Sequence, residues 1–324
     1  MKTHFTGLVG DIGGTNARLA LVDSEGHIRH PKIYAAADYG SLSEVIATYL
    51  ESAAGGRRLS RVALAVAGPV VDGEIAFTNI AWRISEGELV GTFEFEAARL
   101  LNDFAAQALA APRLAADSLR QIGPDIRGAD GAPIVVMGAG TGFGVAGLSR
   151  SDRGDVAIAC EGGHAAFAPN DDLEIEVLKI LRRKRERVSI ERVLSGQGIF
   201  NLYQALGEIR DLPAVLADEK AVSLAGLAGD PLASETVDRF CAILGSVAGD
   251  IALTYGARGG VYISGGIAPK LIERIAGGEF RRRFEDKGRL ASYMVDIPTA
   301  LIIHPYAALV GAARALKHLE INPL

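Results

Sequence analysis

The 324 residues carry 34 basic and 39 acidic side chains, a net charge of −5 with neutral histidines, which argues against a surface built to bind nucleic acid or an anionic membrane. Apolar residues make up 49% and charged residues 23%, enough for a sizeable core and too apolar for a disordered or fibrous chain. No apolar run nears the roughly 18 residues of a membrane span, no signal-peptide h-region precedes Asp11, and Cys160 and Cys241 are too few for a disulfide framework or a thiolate zinc site, so a reducing cytoplasm is the expected compartment.

The chain opens on a glycine-tipped hairpin: Leu8-Val9 leads into Gly10-Asp11-Ile12-Gly13-Gly14-Thr15, and a second apolar stretch runs from Arg18 to Val22. Ser41 to Glu44 reads as a capping box, with Leu42, Val45, Ile46, Tyr49 and Leu50 on one helical face. Arg61 to Val66 predicts a strand closed by Gly68-Pro69. Arg99 to Leu101 predicts a short strand ending at Asn102-Asp103, before an alanine-rich helix from Phe104. Asp103 at that turn also suits a helix N-cap. The glycine-tipped pattern then returns: Ile134 to Met137 leads into Gly138-Ala139-Gly140-Thr141-Gly142-Phe143-Gly144, followed by Val145 to Leu148, with Gly140-Thr141 in the place of Gly14-Thr15. Leu173 to Leu181 and Glu235 to Leu253 have helical periodicity. Val261 to Ser264 reads as a strand before Gly265-Gly266, and Pro269 suits a helix N1 position.

Strands interleaved with helices predict an α/β fold. At roughly 150 residues per domain the length suggests two, with a break near Pro112-Arg113. A smaller domain is expected over 1–112, joined by a returning C-terminal helix over 306–324, and a larger one over 113–305. Two similar units facing each other would suit one ligand held in a cleft between them.

Successive glycines let backbone N–H groups approach phosphate oxygens, and an adjacent Thr hydroxyl adds a donor. Two such loops suggest a nucleotide, although either alone also reads as a tight hairpin. No Gly-Lys pair exists, so there is no P-loop, and glycines at 138, 140, 142 and 144 miss the GxGxxG spacing. Asp11 would repel a phosphate unless a cation lay between them, and nucleotide-bound magnesium fits that position. Arg18 suits phosphate neutralisation and a salt bridge equally. Glu161-Gly162-Gly163-His164 places an acid and an imidazole across a glycine turn, where both could bond one polar ligand. A metal site is the competing reading, without an HExxH helix or a second clustered histidine. Glu191 on its own reads as a surface helix residue, Ser195 lacks a GxSxG context, Arg182 to Arg187 reads as a solvated helix end, and Trp82 reads as packing.

Taken in order, Leu8 to Arg18, Thr78-Asn79 before Trp82, Asn102-Asp103-Phe104, Gly138 to Gly144, Glu161 to His164, Glu191 to Gly196 and Phe284 to Arg289 resemble bacterial glucokinase over nearly the whole chain. That family belongs to the superfamily of hexokinases, heat-shock ATPases and actin. The resemblance implies two ribonuclease-H-like domains of the actin-like ATPase fold with an interdomain cleft, closing over MgATP. It implies transfer of the γ-phosphoryl group to O6 of glucose, and a homodimer. Asp103 would be the catalytic base, with Asn79, Asn102, Asp103, Glu161, His164 and Glu191 bonding glucose. Gly10, Asp11, Ile12, Gly13, Gly14 and Thr15, with Gly140, Thr141 and Gly142, would hold the phosphates, Gly265 and Gly266 would approach the adenosine, and Mg2+ would lie near Asp11 through water. The cysteine-rich zinc motif of the related repressor and kinase family is absent. Ala165-Ala166 stands where the family has an apolar-Asp pair, Gln197 where it has a proline, and Tyr306-Ala307-Ala308 where it has a Pro-Gly-containing turn. A sugar- or nucleotide-sensing module would not need Asp103, and a filament-forming ATPase would need no sugar ligands.

Overall fold

A computed structural model describes residues 5–55, 58–77, 80–152 and 154–319. The chain forms two compact units, one from Met1–Leu114 with His304–Leu324 and the other from Ala115–Ile303. Among the described residues, no helix is long and apolar enough to cross a membrane.

The first unit is built on a five-stranded sheet of β1 (Phe5–Ile12), β2 (Asn16–Asp23), β3 (Ile28–Ala35), β4 (Arg61–Val66) and β7 (Ala97–Asn102), in the order β3-β2-β1-β4-β7. A separate ribbon pairs β5 (Glu74–Ala76) with β6 (Arg83–Ser85). β1 runs antiparallel to β2 and parallel to β4, which runs parallel to β7. Helices cover both faces of these central strands, which explains why β1 and β4 read as continuous apolar runs. Along one face, α1 (Leu42–Ala53) buries Leu42, Val45, Ile46 and Tyr49 with Leu8, Ile12, Val62 and Leu64. Its start is fixed by Ser41 Oγ, which accepts the Glu44 N–H at 3.2 Å, while Glu44 Oε2 accepts the Gly40 N–H at 2.8 Å. The remaining helices of the amino-terminal segment are α2 (Glu86–Phe93) and α3 (Asp103–Ala110).

The register brings the functional segments to one sheet edge. Ile12 pairs with Val66, and Val66 with Asn102, so β1, β4 and β7 end together. The Gly13–Thr15 loop and the Asn102-Asp103 turn therefore leave the same edge, at the carboxyl ends of parallel strands, where α/β sheets bind ligands.

The second unit repeats the plan. Its six-stranded sheet contains β8 (Leu119–Ile122), β9 (Ile134–Ala139), β10 (Phe143–Ser149), β11 (Val156–Cys160), β12 (Gly260–Ser264) and β13 (Thr299–Ile302), in the order β11-β10-β9-β12-β13-β8. β9 and β10 form the glycine-tipped hairpin, and β12 lies parallel on the other side of β9. Gly138 pairs with Ser264, which puts the Gly140–Gly142 loop and the Gly265-Gly266 turn at one edge. Helices α4 (Asp172–Arg182), α5 (Gly196–Arg210), α6 (Glu219–Ala228), α7 (Pro231–Tyr255), α8 (Ile272–Gly277), α9 (Phe280–Glu285) and α10 (Ala291–Met294) complete the unit. The two periodic helices of the sequence are α4 and α7, and Pro269 stands in a short 3-10 turn leading into α8.

The chain then returns to the first unit as α11 (Ala307–Lys317). Leu309, Ala312 and Leu316 bury the face formed by Val9, Ala20 and Ala63. Ala65, Ala106 and Ala308 pack together, and Gly311 crosses α3 so closely that an added Cβ would strike the Ala106 carbonyl oxygen.

Candidate active site

In the first unit the β1–β2 tip is closed by the Gly13 N–H on the Asn16 carbonyl oxygen at 2.9 Å. That bond leaves the Gly14 and Thr15 N–H groups to other partners, and Thr15 is exposed. Gly10 and Ile12 lie with Asp11 in the last, turn-ward residues of β1, and the loop proper begins at Gly13. A Cβ on Gly10 would fall 2.6 Å from Leu64 and 2.9 Å from Leu19, and the Ile12 side chain is fully buried. The first is glycine because of core packing. Gly13 has no such constraint: its nearest neighbour would be the Asn16 oxygen at 3.7 Å, which leaves its outer side open to an approaching group.

Asp11 pairs across the hairpin with Arg18, Oδ2 to Nη1 at 3.0 Å. This contact resolves Arg18 as the partner of Asp11. Burial pushes the Asp11 carboxyl up, and the guanidinium pulls it back only in part.

At the β7–α3 turn the cap is Asn102, not Asp103. Asn102 Oδ1 accepts the Phe104 and Ala105 N–H groups at 3.0 and 3.1 Å, and its Nδ2 donates to the Gly68 carbonyl oxygen at 3.3 Å. The strand bends one residue earlier than composition suggests, because Asn is as good a cap as Asp. Asp103 becomes the first helical residue, half-buried, with Oδ1 accepting from the Phe104 N–H at 2.9 Å. Asn79 lies outside the described residues. Trp82 is buried, edge-on to Phe77 at 6.4 Å.

In the second unit the Gly140 N–H donates to the Gly142 carbonyl oxygen at 2.8 Å, and the Gly140 carbonyl oxygen accepts the Gly196 N–H at 2.9 Å. The Thr141 and Gly142 N–H groups are not consumed by these bonds. Gly140 and Gly266 have nothing within 4 Å of an added Cβ and no positive φ, so this chain's own packing does not require them to be glycine. Gly265 differs: its φ is +87° and a Cβ would strike the Ala139 carbonyl oxygen.

Glu161 and His164 flank a short 3-10 turn, with His164 Nε2 4.0 Å from Glu161 Oε2 and both side chains 60% exposed. Gly163 is required there, since a Cβ would strike the Phe143 carbonyl oxygen. The alanines after His164 serve through their backbone: the Ala165 carbonyl oxygen accepts the Ile190 N–H at 2.9 Å, and Ala166 bridges to Ser189.

Glu191 is not a surface helix residue. It stands half-buried in a 3-10 turn, Ile190–Arg192, and its Oε2 accepts the Phe143 N–H at 2.9 Å. Ser195 caps α5, accepting the Gly198 N–H at 3.0 Å and donating to the Glu191 carbonyl oxygen at 2.8 Å. The basic run ends α4 at the surface, where Arg183 pairs with Glu208.

Sequence reasoning missed a buried ion cluster. Glu174, fully buried, and Asp171 meet both Arg239 and Arg283, fixing the start of α4 to α7 and α9. Its members lie far apart in sequence, and only the pairing of two acids with two arginines makes their burial tolerable. Among the described residues no group of three or more His, Cys, Asp or Glu could hold a metal ion.

The glucokinase family model matches residues 8–319. The glucokinase of Caulobacter sp. (strain K31) is 49% identical over 313 residues, 96% of this chain and 94% of that one. A crystal structure of glucokinase from an Antarctic psychrotroph is 38% identical with a TM-score of 0.87, covering 96% of this chain and 98% of that one. The ROK family glucokinase of Streptomyces griseus, in complex with glucose and AMPPNP, shares the fold at 20% identity and a TM-score of 0.64, covering 96% and 98%.

Proposed function

The chain belongs to the glucokinase family and is an ATP-dependent hexose kinase of the actin-like ATPase fold, and from that premise we propose that Asp103 is the base that takes the O6 proton of glucose during transfer of the γ-phosphoryl group. A sugar hydroxyl is a weak nucleophile in water, and phosphoryl transfer depends mainly on alignment and charge neutralisation. One observation carries the assignment: with Asn102 as the α3 cap, Asp103 opens the helix half-buried, at the sheet edge it shares with the Gly13–Thr15 loop, and one of its carboxylate oxygens is oriented by the Phe104 N–H at 2.9 Å. The positive end of the helix favours its charged form, the form that accepts a proton.

Asn102, Glu161, His164 and Glu191 bond glucose in this reading, and Asn79 joins them on the family resemblance. Asn102 would do so with its remaining amide hydrogen, because its oxygen is committed to the cap. The N–H groups of Gly14, Thr15, Thr141 and Gly142 face phosphate oxygens, the bare flanks of Gly13 and Gly140 give those oxygens room, and the Gly265-Gly266 turn faces the adenosine.

Asp11 fits Mg2+ carried on the nucleotide. It is a single carboxylate, 21% exposed, with one oxygen on Arg18, and Mg2+ usually takes one or two carboxylates beside phosphates and water. Bound there through water, the ion would neutralise phosphate charge. On the family resemblance we also place the enzyme in the cytoplasm and as a homodimer with the two units as its domains; sedimentation at micromolar concentration tests the dimer.

Initial rates of ADP release with and without glucose test the activity. Asp103→Ala is expected to lower kcat roughly 10²- to 10⁴-fold. Near-normal turnover by that variant would remove Asp103 from the proton transfer.

A further inference from the structure

The second glycine loop has few means of holding its shape. Gly140 and Gly142 have no side chains, and Thr141 is exposed. Beyond the Gly140-to-Gly142 bond within the loop, two bonds pin it from outside: the Gly196 N–H on the Gly140 carbonyl oxygen at 2.9 Å, and Glu191 Oε2 on the Phe143 N–H at 2.9 Å. Gly142 completes the second, because a Cβ there would lie 2.5 Å from Glu191 Oε2. Its glycine is thus explained by the approach of a carboxylate.

Glu191 is itself well anchored. The Ile190 N–H donates to the Ala165 carbonyl oxygen at 2.9 Å and the Phe167 N–H to the Val188 carbonyl oxygen at 3.1 Å, which ties its turn to the segment after His164. The Ser195 hydroxyl and the Asn201 amide hold the Glu191 and Arg192 carbonyl oxygens at 2.8 and 2.9 Å. A rigidly mounted carboxylate therefore reaches the end of a loop that faces phosphate in the reading above.

We propose that Glu191 is a positioning residue for the nucleotide in addition to a sugar ligand: Oε2 holds the Gly140–Gly142 loop in its phosphate-facing shape while Oε1 is left for the sugar. The inference rests on the kinase reading and adds to it. Nucleotide affinity then depends on Glu191 even when no sugar is bound.

The test is calorimetric titration of magnesium with a non-hydrolysable ATP analogue into the sugar-free full chain, with amide exchange followed at Phe143. Glu191→Ala is expected to bind the analogue about 10-fold more weakly, on the scale of one charge-assisted hydrogen bond, with faster exchange at Phe143. Glu191→Gln keeps an oxygen that can accept the Phe143 N–H. It should hold nucleotide within about twofold while KM for glucose rises, a split that general loss of structure would not produce. Glu191→Asp falls one methylene short and should follow the alanine variant, deciding the matter if that variant does not fold. Unchanged nucleotide affinity in Glu191→Ala or Glu191→Asp overturns the inference, as does equal loss in Glu191→Gln. If the parent chain phosphorylates glucose while those affinities are unchanged, only this role is lost; if the parent makes no glucose-dependent ADP, the kinase reading fails instead.

Discussion

Glucose and galactose differ in the direction of the C4 hydroxyl, so a side chain placed for one is left without its partner by the other. A buried polar group left unpaired costs about 1 to 3 kcal/mol, and two such losses correspond to roughly 30- to 10⁴-fold in kcat/KM. Glu161 and His164 are 60% exposed here, so their desolvation comes only from the sugar itself, and the preference for glucose should fall toward the 30-fold end. Initial rates on both sugars measure it, and equal efficiencies would remove these residues from the hydroxyl contacts. Asp23 responds to acid instead. Burial pushes its carboxyl up, but Arg29 at 2.8 Å and the His27 and Glu25 N–H groups more than offset this and hold it at about 2. Its stabilising contribution is complete above the ordinary carboxylate range near pH 4 and is lost as pH falls through about 2. Asp23→Asn should flatten the acid limb of the urea midpoint over that interval; parallel limbs in parent and variant would show that the contacts carry no stability.

Each helix beside the candidate site depends on a small feature at its end or crossing. Asn102→Ala removes the α3 cap and the bond to Gly68, and should cost about 1 kcal/mol in urea unfolding while also raising KM for glucose. A variant with parental stability would contradict the capping geometry. Gly311→Ala forces a Cβ onto the Ala106 carbonyl oxygen, so α3 must shift; overpacking of this kind costs about 1 to 3 kcal/mol, and kcat should fall with stability. An unaffected kcat would mean that α3 tolerates displacement. These elements differed in how well the chain announced them. β1, β4, β9 and β12 are apolar, end in glycine or at a turn, and are legible, as are α1, α4 and α7 from their periodicity. β3 is not: it is an exposed edge strand containing Pro31, tolerable only because an edge position leaves ladder bonds unused, with His30 at φ +52°. Around the candidate site the glycine turns themselves were legible, as at Gly140–Gly142 and Glu161–His164. The local geometry of the candidate residues was illegible where a partner lies 48 residues away, as for Glu191 on Phe143, and at Asn102-Asp103, where two adjacent residues of equal capping strength leave the boundary open by one position.

At the scale of the whole molecule, the two units are held by different parts of the chain. The second is continuous over Ala115–Ile303, whereas the first needs both ends. Deleting the residues from His304 onward strips Leu309, Ala312 and Leu316 from Val9, Ala20 and Ala63. We expect such a truncation to leave the second unit folded and the first unable to close, read as loss of protease resistance confined to residues before Leu114. Protection of that segment in the truncated chain would show that α11 is dispensable. The same arrangement sets an order on synthesis. The ribosome releases the strands of the first sheet before the second unit, but the helix that covers one of its faces emerges only after the second unit has been made in full. Nascent β1, β2 and β4 must therefore wait with one apolar face uncovered for the time needed to translate the second unit, so rare codons or stalling there would lengthen the exposure of the chain's own amino-terminal strands and raise their demand for a holding chaperone.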